Sequence, residues 1–232
     1  MFFVCYYFDM GIRPVQLVEG EFYHVYNRGT DKRDLFRDET DKQRFLKLLY
    51  ISNSVEHISV RNILRKNNEP YTFDRGAPLV NIGAYCLMPN HFHILLTPCV
   101  EDGVSIFMQK LGTGYSMYFN RRYNRTGTLF EGPFKSKWVD NDTYLKYLYA
   151  YIHLNPLKLW NRKDVSDEPT DQDILEFLKS YQYSSLPDYL QVARSENIII
   201  NPTPYPDYFE TVADQVQELK EWLLLKEETS DV

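Results

Sequence analysis

The stretch LVNIGAYCLMPNHFHILLTP, Leu79 to Pro98, holds two runs of strand-forming residues separated by Pro89-Asn90. Proline presets one turn dihedral and asparagine tolerates the rest, so the two runs read as strands joined by a turn. The second strand carries an oddity. Where a buried strand fills its face with apolar residues, this one places His91 and His93 at alternate positions. Successive side chains of a strand point to opposite faces, so both imidazoles share a face about 7 Å apart while Phe92 and Ile94 take the other. Two such imidazoles can each give one nitrogen to a divalent ion, which then needs another ligand and keeps positions open for chemistry. The same spacing also suits an exposed or hydrogen-bonded pair that holds nothing.

Working outward, Glu21 to Arg28 (EFYHVYNR) alternates and is rich in β-formers, which predicts an earlier strand. A helix is expected from about Thr40, with Phe45, Leu46, Leu48 and Leu49 as its apolar stripe and Thr40 or Asp38 as its cap. Residues 52–78 are mixed, with a short strand or hairpin expected at HISVRNILR (57–65). Residues 103–124 read as a helix weakened by Gly112 and Gly114, and GTLFEGPFKSKWVD (127–140) as loop and strand. Asp140, Asn141 and Asp142 offer caps for a last helix, TYLKYLYAYIHLN, which Pro156 stops. The order β-α-β-β-α-β-α predicts an α+β, ferredoxin-like core, an antiparallel sheet with helices on one face, plus one further helix.

The chain has 232 residues, 44% of them hydrophobic, enough to bury a real core. Three cysteines without metal-ribbon spacing suit a reducing cytoplasm rather than a disulfide framework. The apolar N-terminus is short and lacks a basic lead, so it reads as neither a signal peptide nor a membrane span, with Met10 a possible true start. The net charge of −6 argues against a nucleic-acid partner only when taken whole. Residues 161–232 hold 16 acidic and 6 basic side chains, so this part carries −10 and residues 1–160 carry +4. Gln109 to Trp138 sets Lys110, Arg121, Arg122, Arg125, Lys135 and Lys137 among aromatics against Glu131 alone. Cations interleaved with rings are what a phosphate backbone and unstacked bases require, although a solvated helix face shows the same pattern. The expected division is an N-terminal segment, 1–20, a core domain, 21–160, and an acidic accessory extension, 161–232, that adds solubility.

In YLYAYIHLNPLK (147–158), Tyr151 and Asn155 stand at i and i+4, one helical turn apart on one face. An amide oxygen can ligate a metal beside a phenol that acts as nucleophile, since a nearby cation favours the phenolate of a group whose free pKa is about 10. In a chain with 19 tyrosines, packing and helix capping explain the same pair.

Taken together, MPNHFHILL (88–96), YFNRRYNRTGTLFEGPFKS (118–136) and YAYIHLNPLK (149–158) resemble the single-tyrosine HUH transposases, in particular the REP-associated tyrosine transposase type. The resemblance spans about Glu21 to Trp160, with a fainter echo in YQYSS (181–185). It implies a metal-dependent endonuclease and strand transferase acting on single-stranded or hairpin DNA through a 5′-phosphotyrosine intermediate. His91 and His93 match the metal-binding pair, Tyr151 the nucleophile and Asn155 the third metal ligand, for Mg²⁺ or Mn²⁺. Arg121, Arg122, Arg125, Lys135 and Lys137 become phosphate-contact candidates, His24 a structural residue, and Tyr115 and Tyr118 weaker rivals for the nucleophile. Where relatives carry an arginine in a GRYKS-like segment, this chain has Gly132-Pro133-Phe134-Lys135-Ser136. A possible homodimer follows from the same resemblance, and the cysteine usage above points to a cytoplasmic location. The alternative is a domesticated relative that binds hairpins as a repressor and cuts nothing.

Overall fold

The structure, a computed structural model, describes residues 17–66, 70–160, 170–208 and 211–228. The reading of Met10 as a start falls outside them. Four strands, β1 (Phe22–Arg28), β2 (Val80–Met88), β3 (His91–Pro98) and β4 (Lys135–Val139), form one antiparallel sheet in the order β2-β3-β1-β4. That order, with helices between β1 and β2 and between β3 and β4, is the ferredoxin-like split βαβ arrangement.

Helices α1 (Glu39–Ile51) and α3 (Gly103–Arg122) lie on one face. Asp38 caps α1 by accepting from the Asp41 amide, and Phe45, Leu46, Leu48 and Leu49 are buried as their spacing requires. They meet Tyr23, Val25, Phe92, Ile94 and Leu96, the odd-numbered face of β1 and the even-numbered face of β3. The segment expected as a strand or hairpin at 57–65 is instead a helix, α2 (Val60–Lys66). The β-branched residues there suggested a strand, but the apolar side chains at 60, 63 and 64 follow helical spacing, and burying Ile63 in the α1–α3 core settles the choice.

Asp41 ties this layer together. Its fully buried carboxylate accepts from the Arg37 amide at 3.0 Å, the Tyr118 and Tyr123 hydroxyls at 2.8 Å each and the Arg122 guanidinium at 2.5 Å. Removing it takes a hydrogen-bond partner from two half-buried hydroxyls and from Arg122, which Asp38 still pairs. Asp41→Ala is therefore expected to cost about 1–3 kcal/mol, through the hydrogen bonds lost by the Arg37 amide and the two hydroxyls, which thermal unfolding would register as a fall of roughly 5 °C in Tm. A Tm within a degree of wild type would show that water replaces the carboxylate at no cost.

The opposite face is covered by α4 (Asp142–Leu154), capped by Asn141, which accepts from the Tyr144 amide. Leu145, Leu148 and Ile152 pack on Ala84, Cys86, Leu95 and Val139. The α-helix ends at Leu154, before Pro156, and the chain continues as a 3₁₀ turn, Asn155–Leu159.

The acidic extension is bound to this core. It contains α5 (Asp171–Ser180), α6 (Leu186–Tyr189) and α7 (Val212–Glu228). Between α5 and α6, residues 183–185 run beside β2: the Leu87 amide donates to Tyr183 O and the Ser185 amide to Tyr85 O, both at 2.9 Å. Tyr181 to Ser185, the fainter echo in the sequence, thus shields an otherwise open sheet edge. Tyr205 seats its ring on Gly83, where a Cβ would lie 2.6 Å from the ring, and its hydroxyl donates to Asn81 O at 2.8 Å. Beyond adding charge, the extension closes the β2 edge and the outer side of α4.

His153 joins α4 to that edge segment, its Nε2 2.8 Å from Ser185 Oγ. Burial, with the Arg194 charge adding, lowers its pKa from 6.5 to about 3. Between those two values the unfolded chain binds a proton that the fold refuses. Stability is intact above pH 6.5 and falls as the pH drops towards 3, by about 1.4 kcal/mol per pH unit for this group. In EDTA, Tm should decline from about pH 6.5 to 5, and the slope should flatten in His153→Gln; an unchanged slope would assign the titration to other groups.

Candidate active site

His91 and His93 both point to the α4 face. In the register, His93 lies opposite Tyr26 of β1 and Cys86 of β2, and His24 stands two residues along β1 on that same face. The imidazole centroids of His91 and His93 are 5.0 Å apart with perpendicular planes, and those of His24 and His93 are also 5.0 Å apart, stacked. Each of the paired rings is held by its Nδ1. His91 Nδ1 is 2.6 Å from Asn90 Oδ1, and Asn90 is oriented in turn by its Nδ2 donating to Lys32 O at 3.2 Å. His91 Nδ1 is therefore the protonated nitrogen, leaving a lone pair on Nε2. His93 Nδ1 meets His24 Nε2 at 2.9 Å, while His93 Nε2 is buried without a hydrogen-bond partner among the described residues. Burial lowers the His93 pKa to about 2, with His24, His91 and Lys158 adding, and that of His24 to about 4, with Lys137 adding. His91 is lowered as well, by burial first and then by Lys158 and Arg28. At neutral pH all three rings are uncharged.

Tyr151 comes to them from α4 of the same chain. With Leu148 and Ile152 turned into the sheet, Tyr151 falls at the edge of the covered face, over β1 and β3. Its ring lies edge-on to His93 with centroids 5.3 Å apart, and 6.1 Å from His24. Asn155, almost fully buried, donates from Nδ2 to Tyr151 O at 2.7 Å where the α-helix passes into the 3₁₀ turn. Its Oδ1 accepts from Lys158 Nζ at 3.0 Å, and that ammonium stands 5.6 Å from the Tyr151 ring. Burial raises the Tyr151 pKa and the Asn155 amide opposes the rise. The phenol is protonated at neutral pH until a cation lowers its pKa.

The rival tyrosines sit on the other side of the sheet. Tyr115 is buried and donates to Leu35 O at 2.6 Å, and Tyr118 is bound to Asp41.

The residues fit a divalent metal on one specific ground: His93 Nε2 is a buried nitrogen with no partner, which a cation would satisfy. Among the described residues no group of three or more His, Cys, Asp or Glu side chains is placed to hold an ion, so a third protein ligand has to be an amide. Asn155 Oδ1 is an amide oxygen on the tyrosine helix, and it accepts from Lys158 in this structure. Two imidazole nitrogens and one neutral oxygen leave positions open.

The basic candidates divide between the two faces. Lys135 and Lys137 of β4 lie opposite Tyr26 and His24 of β1, on the histidine face, and both are exposed. Lys135 borders a cleft of about 310 Å³ with Tyr26, Arg28, Lys32 and His91, and Arg28 forms an ion pair with Glu131 there. Arg121, Arg122 and Arg125 belong to the α3 layer. Arg122 is bound by Asp38 and Asp41, and Arg125 Nη1 donates to Asn120 Oδ1 at 2.9 Å. Phe134, in the segment where relatives carry an arginine, packs against the α1–α3 core. Lys158, Arg28 and Lys32 border the site although no sequence pattern singled them out. Only Lys158, three residues beyond Asn155 in the same turn, had a local signal.

Among curated proteins none matches the chain. A solved structure described as a REP-associated tyrosine transposase bound to a REP hairpin is 12% identical, covering 81% of this chain and 90% of that one at a TM-score of 0.49. A family model described as "Transposase IS200 like" matches residues 19–155, from just before β1 to Asn155. That span takes in the sheet, the histidine pair and the tyrosine helix, and with it the chain belongs to the IS200-like transposase family.

Proposed function

We propose that the protein cleaves and rejoins single-stranded DNA beside a hairpin, with Tyr151 as nucleophile and a divalent metal, Mg²⁺ or Mn²⁺, held by His91, His93 and Asn155. The observation that carries this is the approach of the Tyr151 ring to His93, whose outward nitrogen is buried and unpartnered. The hairpin preference rests on the motif resemblance of residues 88–96, 118–136 and 149–158. When bound, the metal supplies a charge that polarises the scissile phosphate and favours the phenolate.

The chain's own groups do the rest. Lys135 and Lys137 hold backbone phosphates on the histidine face, which makes binding sensitive to salt. The Tyr151 oxygen, having lost its proton to water, attacks phosphorus in line. An O–P bond forms to the phenol, the P–O3′ bond breaks, and the departing 3′ oxygen takes up a proton. The resulting 5′-phosphotyrosine keeps the phosphodiester energy, so attack by another 3′-hydroxyl rejoins strands and releases the phenol. In this reading Tyr151, His91, His93 and Asn155 act from one chain, and no second subunit is needed to complete the site.

Incubation of 5′- and 3′-labelled hairpin-bearing strands with Mn²⁺ tests this. The expected product is a free 3′ end together with a protein–DNA adduct that survives denaturing electrophoresis. Cleavage with a free 5′ end and no adduct would assign the reaction to water, and tight binding without cleavage would leave a repressor.

A further inference from the structure

His24 has no part in the chemistry just described, yet it is buried and spends its Nε2 on His93 Nδ1 at 2.9 Å. Two proton arrangements make that bond. In the first, His24 Nε2–H donates to His93 Nδ1, which forces the His93 proton onto Nε2. That N–H would then point, buried, at nothing, and orphaned buried donors are rare in folded proteins. In the second, His93 Nδ1–H donates to the His24 Nε2 lone pair, and His93 Nε2 is a bare lone pair facing the site. A lone pair is the group a cation takes.

On the reading of the site given above, we infer that His24 is a positioning residue: it accepts from His93 Nδ1–H and so holds His93 in the tautomer, and the ring orientation, that presents Nε2 as a metal ligand. Asn90 does the same for His91 from the turn, through its Oδ1 on Nδ1. The two ligands thus rely on different partners, an amide at the rim and a second imidazole in the interior. The choice of an imidazole has a physical reason. Its ring stacks on His93 at 30° and meets the Tyr151 ring edge-on, so one flat side chain fills the space beneath ligand and nucleophile together. Partners of this kind typically change metal affinity 10- to 100-fold when removed.

The inference separates from the reading it rests on. Long-range ¹H–¹⁵N correlation of the imidazoles, recorded in EDTA, reads the His93 tautomer with no metal and no activity involved. The wild-type protein should show His93 protonated on Nδ1 and bare on Nε2, and His24→Leu should shift the proton to Nε2 or average the two. By electron paramagnetic resonance, Mn²⁺ affinity should fall about 10- to 100-fold in His24→Leu. It should largely return in His24→Gln, whose Oε1 can accept the same proton. A wild-type His93 carrying its proton on Nε2 would overturn the inference without any variant. So would His24→Leu binding Mn²⁺ as tightly as wild type while His93→Ala does not. Should His93→Ala also bind as tightly as wild type, the metal reading falls with it.

Discussion

Tyr151→Phe should abolish the covalent adduct and lower the cleavage rate by roughly 10⁴-fold or more, the scale seen when a covalent nucleophile is removed. The substitution deletes one oxygen and leaves the ring that packs beside His93, so fold and DNA affinity should hold. Tyr147 supplies the control. It stands one turn earlier, its ring 5.8 Å from that of Tyr151, is exposed, and meets the Trp222 ring of α7 at 5.0 Å. Tyr147→Phe should form the adduct at close to the wild-type rate. Adduct formation by Tyr151→Phe would move the nucleophile elsewhere and overturn the assignment; mass spectrometry of the DNA-linked peptide would name its replacement.

Metal removal is the second large effect. EDTA should stop cleavage, and added Mn²⁺ should restore it. His93→Ala should lower the rate by roughly 10³-fold, equivalent to about 4 kcal/mol of lost charge stabilisation at the phosphate. Hairpin binding should survive both treatments, because the phosphate contacts proposed for Lys135 and Lys137 are made from β4 and need no metal. The contrast is what matters: cleavage lost with binding kept. Cleavage at the full rate in EDTA would remove the metal from the mechanism, and parallel loss of binding would make His93 a structural residue.

The elements were mostly legible in the chain. Periodicity marked β1, β2, β3, α1, α3 and α4, and among the cap candidates the structure selects Asp38 over Thr40 and Asn141 over Asp140 and Asp142. The failure at α2 has a plain cause. In a short segment with Val60, Ile63 and Leu64, β-branching and helical spacing point in opposite directions, and the distant contact of Ile63 with the α1–α3 core decides. The extension was read as charge because its acidic residues dominate its composition. Its docking depends on backbone bonds from 183–185 to β2, about a hundred residues away, and on tyrosines such as Tyr181 and Tyr205 whose hydroxyls donate to β2 carbonyls. In a chain so rich in tyrosine these carry no distinguishing signature.

The site shows the same division. Alternation within one strand put His91 and His93 on one face, and helical spacing put Tyr151 beside Asn155; both are local and can be read from the chain. Only the amide at i+4 set Tyr151 apart from Tyr115 and Tyr118, which are followed there by Phe119 and Arg122, and spacing says nothing about which side of the sheet a helix covers. Nor could spacing show Arg122 satisfied by Asp38 and Asp41 on the α3 layer, or His24 brought to His93. The pairing register of β1 with β3 sets that last contact, and a slip of one residue would have turned His24 to the opposite face. Sequence by itself determined which side chains share a face within each element; the tertiary structure decided which faces meet, because that depends on contacts far apart in the chain whose energies no local pattern records.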